Sequence, residues 1–251
     1  MEHDVRIEFL SRLNRLAGLM SQYESILEAM YRRILQPGDC IFDVGCHSGR
    51  HARAFIDAVG PSGRVVGFEP IPGMAAILRN LEADVPNFTV FEVALSNESG
   101  RASFVHAEGT PEESGLIERE FNFPDRARPR RIEVELRRLD DLATDAALPD
   151  PAFIKLDVEG AELRVLEGAA DLIARARPIC SIEYGAPGYG PYGHTAESLW
   201  NWSNDTGYVL FDLFGYRLPT LDTWLAECDR GLWDWFAVPV EKADSAEAAW
   251  R

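Results

Sequence analysis

Four short runs, CIFDVG (40–45), RVVGFEP (64–70), AFIKLD (152–157) and ICSIEY (179–184), are almost wholly apolar and each carries an acidic residue at or near its end. Such runs are too short for helices and lack polar alternation, so they read as strands buried on both faces, as in a parallel sheet. FTVFEVAL (88–95) has the same character. Segments 50–59, 72–83, 161–174 and 196–204 repeat apolar residues at three- and four-residue steps and predict amphipathic helices between the strands. The alternation predicts an α/β fold with a mostly parallel seven-stranded sheet covered by helices on both faces. The last two strands, YVLFDLF (208–214) and LWDWFAVP (232–239), lack a strong helical pattern between them, so that end of the sheet is expected to be antiparallel.

Three segments depart from the alternation. Phe9, Leu13, Leu16, Met20, Tyr23 and Leu27 share a helical period, giving residues 1–36 as a helical extension that Gly18 can divide, closed by the turn Pro37-Gly38-Asp39. Within a main domain at 37–240, RASFVHA and RRIEVELRR read as an antiparallel hairpin inserted at about 97–138, with a lid-like loop at 108–129. The tail, 241–251, reads as frayed.

Twenty-five basic against 41 acidic residues leave a net charge of −16, which repels nucleic-acid phosphates and anionic membranes. Cys40, Cys46, Cys180 and Cys228 show no metal-type pairing and read as free thiols in a reducing compartment. Charges interrupt every apolar run of the N-terminal segment, and no window approaches the ~20 apolar residues that span a bilayer. A cytoplasmic protein is expected. A homo-oligomer is compatible with these features.

The first strand runs into Asp43-Val44-Gly45-Cys46-His47-Ser48-Gly49, a glycine turn that brings backbone N–H groups close to a ligand at a helix start. Its spacing is GxxxG, not the GxGxxG of dinucleotide sites, which argues against a nicotinamide dehydrogenase. Glu69-Pro70 ends the second strand, where a carboxylate can accept both hydroxyls of a ribose. Acid, glycine turn and second acid together point to an adenosine ligand without a pyrophosphate, and S-adenosylmethionine fits.

DVGCHSGRHA, GFEPIPGMAAILRNL, VALSNESG, DDLATDAALPDPAFIKLDVEGAELRVLEGA and PICSIEYG resemble the FkbM family of S-adenosylmethionine-dependent methyltransferases over 37–184. The family's usual DVGANxG turn carries Cys46 and His47 here in place of its Ala-Asn pair. The resemblance implies the Rossmann-like class I methyltransferase fold and methylation of a hydroxyl on a natural product or sugar. It assigns Asp43, Gly45, Cys46, His47 and Gly49 to the methionine and ribose end, Glu69 and Pro70 to the ribose, and Val93 and Ala94 to the adenine. Asp157 would face the transferred methyl, with Glu159 and Glu183 as the other carboxylates of that edge.

The reaction expected is in-line methyl transfer to an acceptor oxygen, with Glu183, Glu159 or His194 as base, Asp157 positioning the acceptor and no metal. Two close carboxylates holding a divalent ion are the alternative. N-methylation and a non-catalytic cofactor-binding module are the rival functions. His47 and His51, four apart, suit a helical metal pair only if a third ligand exists. Lys155, in a buried strand, needs a carboxylate partner, expected on a neighbouring strand, with a substrate-side role as the alternative. Arg126, Arg128, Arg130, Arg131, Arg137 and Arg138 crowd the insertion, either as a solvated strand edge or as a site for an anionic acceptor. The loop 185–194, rich in Gly, Tyr and Pro, is expected to touch substrate; the six tryptophans read as core and interface.

Overall fold

The computed structural model describes residues 4–6, 8 and 20–251. In chain order its main elements are α1 (Met20–Tyr31), β1 (Cys40–Val44), α2 (Arg50–Val59), β2 (Arg64–Phe68), α3 (Pro72–Asp84), β3 (Phe88–Phe91), β4 (Ala94–Leu95), β5 (Gly100–Ala107) and β6 (Pro129–Arg137). They continue with α4 (Leu139–Asp145), β7 (Phe153–Leu156), α5 (Glu162–Glu167), α6 (Ala170–Ala176), β8 (Ile179–Glu183), α7 (Ala196–Asp205), β9 (Tyr208–Phe211), α8 (Leu221–Cys228), β10 (Asp234–Pro239) and α9 (Ala243–Trp250).

The seven-stranded sheet has the order β3-β2-β1-β7-β8-β10-β9. All pairings are parallel except those of β10, which runs antiparallel to both β8 and β9. This is the class I methyltransferase fold expected from the sequence. Chain order reverses between β1 and β7, so the crevice at their carboxyl ends is where a ligand fits an open sheet. Register there sets Asp43 opposite Lys155. Phe42, Val66, Ile154 and Ile182 are buried at the sheet centre and tie both helical layers into one core.

A three-stranded sheet, β4-β6-β5, carries the insertion, and β5 pairs antiparallel with β6 as the alternating pattern requires. The third strand ends at Phe91 rather than running through to Leu95; Ala94 and Leu95 leave it to pair with β6. The helix expected at 161–174 divides at Gly168, where a Cβ would lie 2.0 Å from the Ser96 carbonyl oxygen. Helices α4 and α8 had no strong period in the sequence because each is only seven or eight residues long.

Of the N-terminal pattern, Tyr23 and Leu27 are buried in the main core, whereas Phe9, Leu13, Leu16 and Gly18 lie outside the described residues. The expectation of a frayed tail is corrected by α9. Trp250 is 3% exposed, its ring lies 4.8 Å from that of Phe236 and 5.3 Å from that of Phe211, and its Nε1 donates to the Met30 carbonyl at 3.0 Å. One buried indole is enough to dock a two-turn helix. No helix among the described residues is long and apolar enough to cross a membrane.

Candidate active site

A cavity of about 790 Å³ opens at the carboxyl ends of β1, β2, β7 and β8, under the insertion and beside α1. Of the residues assigned from sequence it is lined by Asp43, Gly45, Cys46, His47, Glu69, Pro70, Val93, Ala94, Asp157, Glu159 and Glu183. Its size is that of a small-molecule site.

The strand-to-helix turn after β1 is folded tightly. Gly45 has φ +80, and a Cβ there would sit 1.7 Å from the Asp157 carbonyl oxygen, so only glycine lets β1 and the end of β7 approach. His47 is also left-handed, with φ 48. Its amide donates to Glu69 Oε2 at 2.8 Å, and the Ile71 amide donates to Glu69 Oε1 at 2.8 Å. Burial pushes the Glu69 carboxyl up to about 7 despite these two bonds. Each oxygen keeps a lone pair for a further donor.

Asp43 is 1% exposed, and neither carboxylate oxygen has a nitrogen or oxygen donor among the described residues; only the weak thiol donor of Cys46 reaches it. Burial raises its pKa, while Lys155 and His51 act against the rise. A buried carboxylate without a donor, facing a cavity, fits a ligand that brings a positively charged or N–H group. The cofactor proposed from the sequence has such groups.

The adjoining edge, from β7 and β8, is acidic but internally compensated. Lys155 Nζ lies 2.6 Å from Asp157 Oδ2. The lysine's partner is thus at the end of its own strand, not on a neighbour as expected, because residues two apart share one face. Burial works against ionisation of Asp157, yet Lys155 holds its carboxyl below the usual range. Asp157 also hydrogen-bonds Glu183, whose carboxyl is raised well above its usual value by burial and by Asp157. Glu183 is therefore the proton-bearing member of the pair. Glu159, left-handed at φ 57, forms an ion pair with Arg119 of the insertion. Oxygens of Asp157, Glu159 and Glu183 lie within 4.8 Å of one another, close enough for a divalent ion, but an ammonium and a guanidinium already offset their charge.

Two assigned residues lie elsewhere. Gly49 does not line the cavity; it starts α2 at φ +82, and a Cβ there would meet Leu78 at 2.8 Å, so it serves helix packing. His194 is also outside the lining, because 186–192 fold into two short helical turns that hold its amide on the Tyr189 carbonyl at 3.1 Å. Its ring packs against Tyr189. The expected mobile substrate loop is therefore an ordered element that gives the cavity only Gly185. His51 does not join His47: its Nε2 is 2.5 Å from Glu24 Oε2 and its Nδ1 is 3.1 Å from Tyr31 Oη.

Sequence reasoning missed Glu24, Arg119, Trp233 and Asp234, all of which line the cavity. They come from α1, the insertion and the start of β10, and no local motif marks them. The six arginines singled out from the sequence do not join Arg119: Arg130 pairs with Glu108, Arg131 with Glu118, Arg137 with Asp145 and Arg138 with Asp140, and none of the six lines the cavity.

The methyltransferase FkbM domain model matches residues 43–210. The 2-O-methyltransferase NoeI of Sinorhizobium fredii is 31% identical over 190 residues, covering 70% of this chain and 77% of NoeI. The AMB antimetabolite synthetase AmbE of Pseudomonas aeruginosa is 29% identical over 210 residues, 66% of this chain but 10% of that protein. The crystal structure of a methyltransferase FkbM from Methylobacillus flagellatus KT superposes with a TM-score of 0.49 at 20% identity, covering 80% of this chain and 43% of that one. The family match takes in Asp43, Glu69, Asp157 and Glu183, with β2, β7 and β8 in full, and the chain belongs to the FkbM methyltransferase family.

Proposed function

We propose that the protein transfers a methyl group from S-adenosylmethionine to a hydroxyl oxygen of a small molecule. The observation that carries this reading is a single wall on which Asp43, a buried carboxylate without an N–H donor, lies one strand from Asp157, a carboxylate kept ionised by Lys155. Asp43 suits the cationic methionine end and Glu69 the ribose hydroxyls, with Val93 and Ala94 beside the adenine. When bound, the cofactor supplies an electrophilic methyl. The chain's own part is to exclude water, align the acceptor and take its proton.

Of the bases expected from sequence, Glu183 is pushed toward its protonated form by burial and by Asp157, Glu159 is engaged by Arg119, and His194 is outside the cavity. Asp157 is the carboxylate of the edge that Lys155 keeps ionised and so open to a proton, and in our reading it moves from positioning residue to base. The relative NoeI, named a 2-O-methyltransferase, supports a hydroxyl acceptor. Calorimetry with S-adenosylhomocysteine, followed by incubation of the protein with methyl-labelled cofactor and an extract of its source, tests both halves. The expected result is binding and a labelled small molecule with the label on oxygen. Absence of binding overturns the cofactor reading, and label on nitrogen overturns the hydroxyl.

A further inference from the structure

The insertion carries another carboxylate into the cavity. After β5 the chain makes a single 3₁₀ turn, Pro111–Glu113, and Glu113 is 4% exposed although it lines the cavity. Its Oε1 accepts from the Asn122 amide at 2.7 Å. Its Oε2 is buried with no partner among the described residues. A buried carboxylate oxygen left without a donor costs of order 1–3 kcal/mol, so the fold tolerates it where a ligand brings the donor.

Leu116, three residues on from Glu113 in the same cavity lining, indicates what kind of donor. Ile71, Ala94, Phe104 and Leu116 pack together in a small apolar cluster on the insertion's sheet, and all four also line the cavity. Ile71 lies two residues from Glu69, so this apolar wall adjoins the carboxylate suited to the ribose. A ligand group placed there needs apolar faces and an N–H donor at its rim. Adenine has flat apolar faces and a single exocyclic amino group.

We propose that the cofactor's adenine lies against Ile71, Ala94, Phe104 and Leu116, with its exocyclic amino group donating to Glu113 Oε2. The insertion is then part of the cofactor site and selects the base, in addition to covering the cavity. This rests on the S-adenosylmethionine reading. Hypoxanthine, which replaces the amino group by a carbonyl, sets an acceptor against the Glu113 carboxylate and is rejected.

Calorimetric titration with S-adenosylhomocysteine and S-inosylhomocysteine tests this on the wild type and on Glu113→Gln. The wild type is expected to favour the adenosyl compound at least tenfold. Glu113→Gln, whose amide can turn its NH₂ toward a carbonyl, is expected to bring the two affinities to within about threefold. If that variant does not fold, Glu113→Asp takes its place; drawing the charge back by one methylene is expected to weaken adenosyl binding at least tenfold and leave inosyl binding unchanged. An adenosyl-to-inosyl ratio unaltered by the substitution overturns the proposal while leaving the cofactor reading intact. A wild type that binds neither compound overturns both.

Discussion

Lys155 Nζ lies 2.6 Å from Asp157 Oδ2, with the lysine side chain 2% exposed beneath a carboxylate that is 38% exposed. Burial alone would depress the lysine, but Asp157, Asp43 and Asp234 surround it and raise its pKa above the ordinary value. The ammonium is thus the counter-charge for three acids from β1, the end of β7 and β10. Lys155→Met is expected to destabilise the fold by about 3–5 kcal/mol, because it leaves those acids uncompensated. Urea unfolding measures this; a loss below about 1 kcal/mol would show that the acids are neutral in the folded state.

Asp43→Asn and Glu69→Ala should each weaken S-adenosylhomocysteine binding by about 1.5–3 kcal/mol, the worth of hydrogen bonds to a charged group. Calorimetry decides it. Undiminished affinity in Glu69→Ala would place the ribose elsewhere.

Burial raises the Glu69 and Glu162 carboxyls to about 7. Both pKa values lie above the unfolded-chain 4.5, so the folded state binds the extra protons. The stability they contribute is fully present below pH 4.5 and is lost as pH rises through about 7, roughly 3 kcal/mol for each group. Ribose hydroxyls donating to Glu69 favour its ionised form, so S-adenosylhomocysteine should raise the Tm more at pH 8 than at pH 5. Thermal melts across that range check both statements. Glu69→Gln should flatten the profile, and an identical slope would remove Glu69 from the account.

Asp157→Asn is expected to lower kcat about a hundredfold or more, the usual worth of a general base. Glu183→Gln should cost less than about tenfold, since burial and Asp157 push Glu183 toward its protonated form and an amide preserves a donor toward Asp157. Chelation should leave turnover unchanged. Loss of turnover on chelation, restored by magnesium, would instead assign Asp157, Glu159 and Glu183 to a divalent ion.

Reversing Arg130 and Arg131 to Glu is expected to leave KM for the acceptor and its salt dependence unaltered, because both guanidinium groups face Glu108 and Glu118 outside the cavity. A salt-sensitive rise in KM would restore the anionic-acceptor reading of the insertion.

Strand–helix alternation was legible in the chain because buried strands and amphipathic helices are local patterns, and the order of β1, α2, β2 and α3 follows from them. Asp43, Gly45, Glu69 and Asp157 were legible for the same reason: each sits where a strand ends, and a strand end in this topology faces the crevice. Their relationships were not. Which carboxylate carries the proton depends on Lys155 lying beneath Asp157 and on Glu183 arriving from β8, contacts that exist only after three strands are in register. Glu24, Arg119, Glu113 and Asp234 reach the cavity from α1, the insertion and β10, each by way of packing that no short stretch of sequence encodes. His194 was displaced by the helical turns before it, and the tail was ordered by the burial of Trp250. Periodicity and glycine spacing are properties of neighbours in sequence. Proton position, charge compensation and the lining of a cavity depend on distances between residues far apart in the chain, and the tertiary structure decides them.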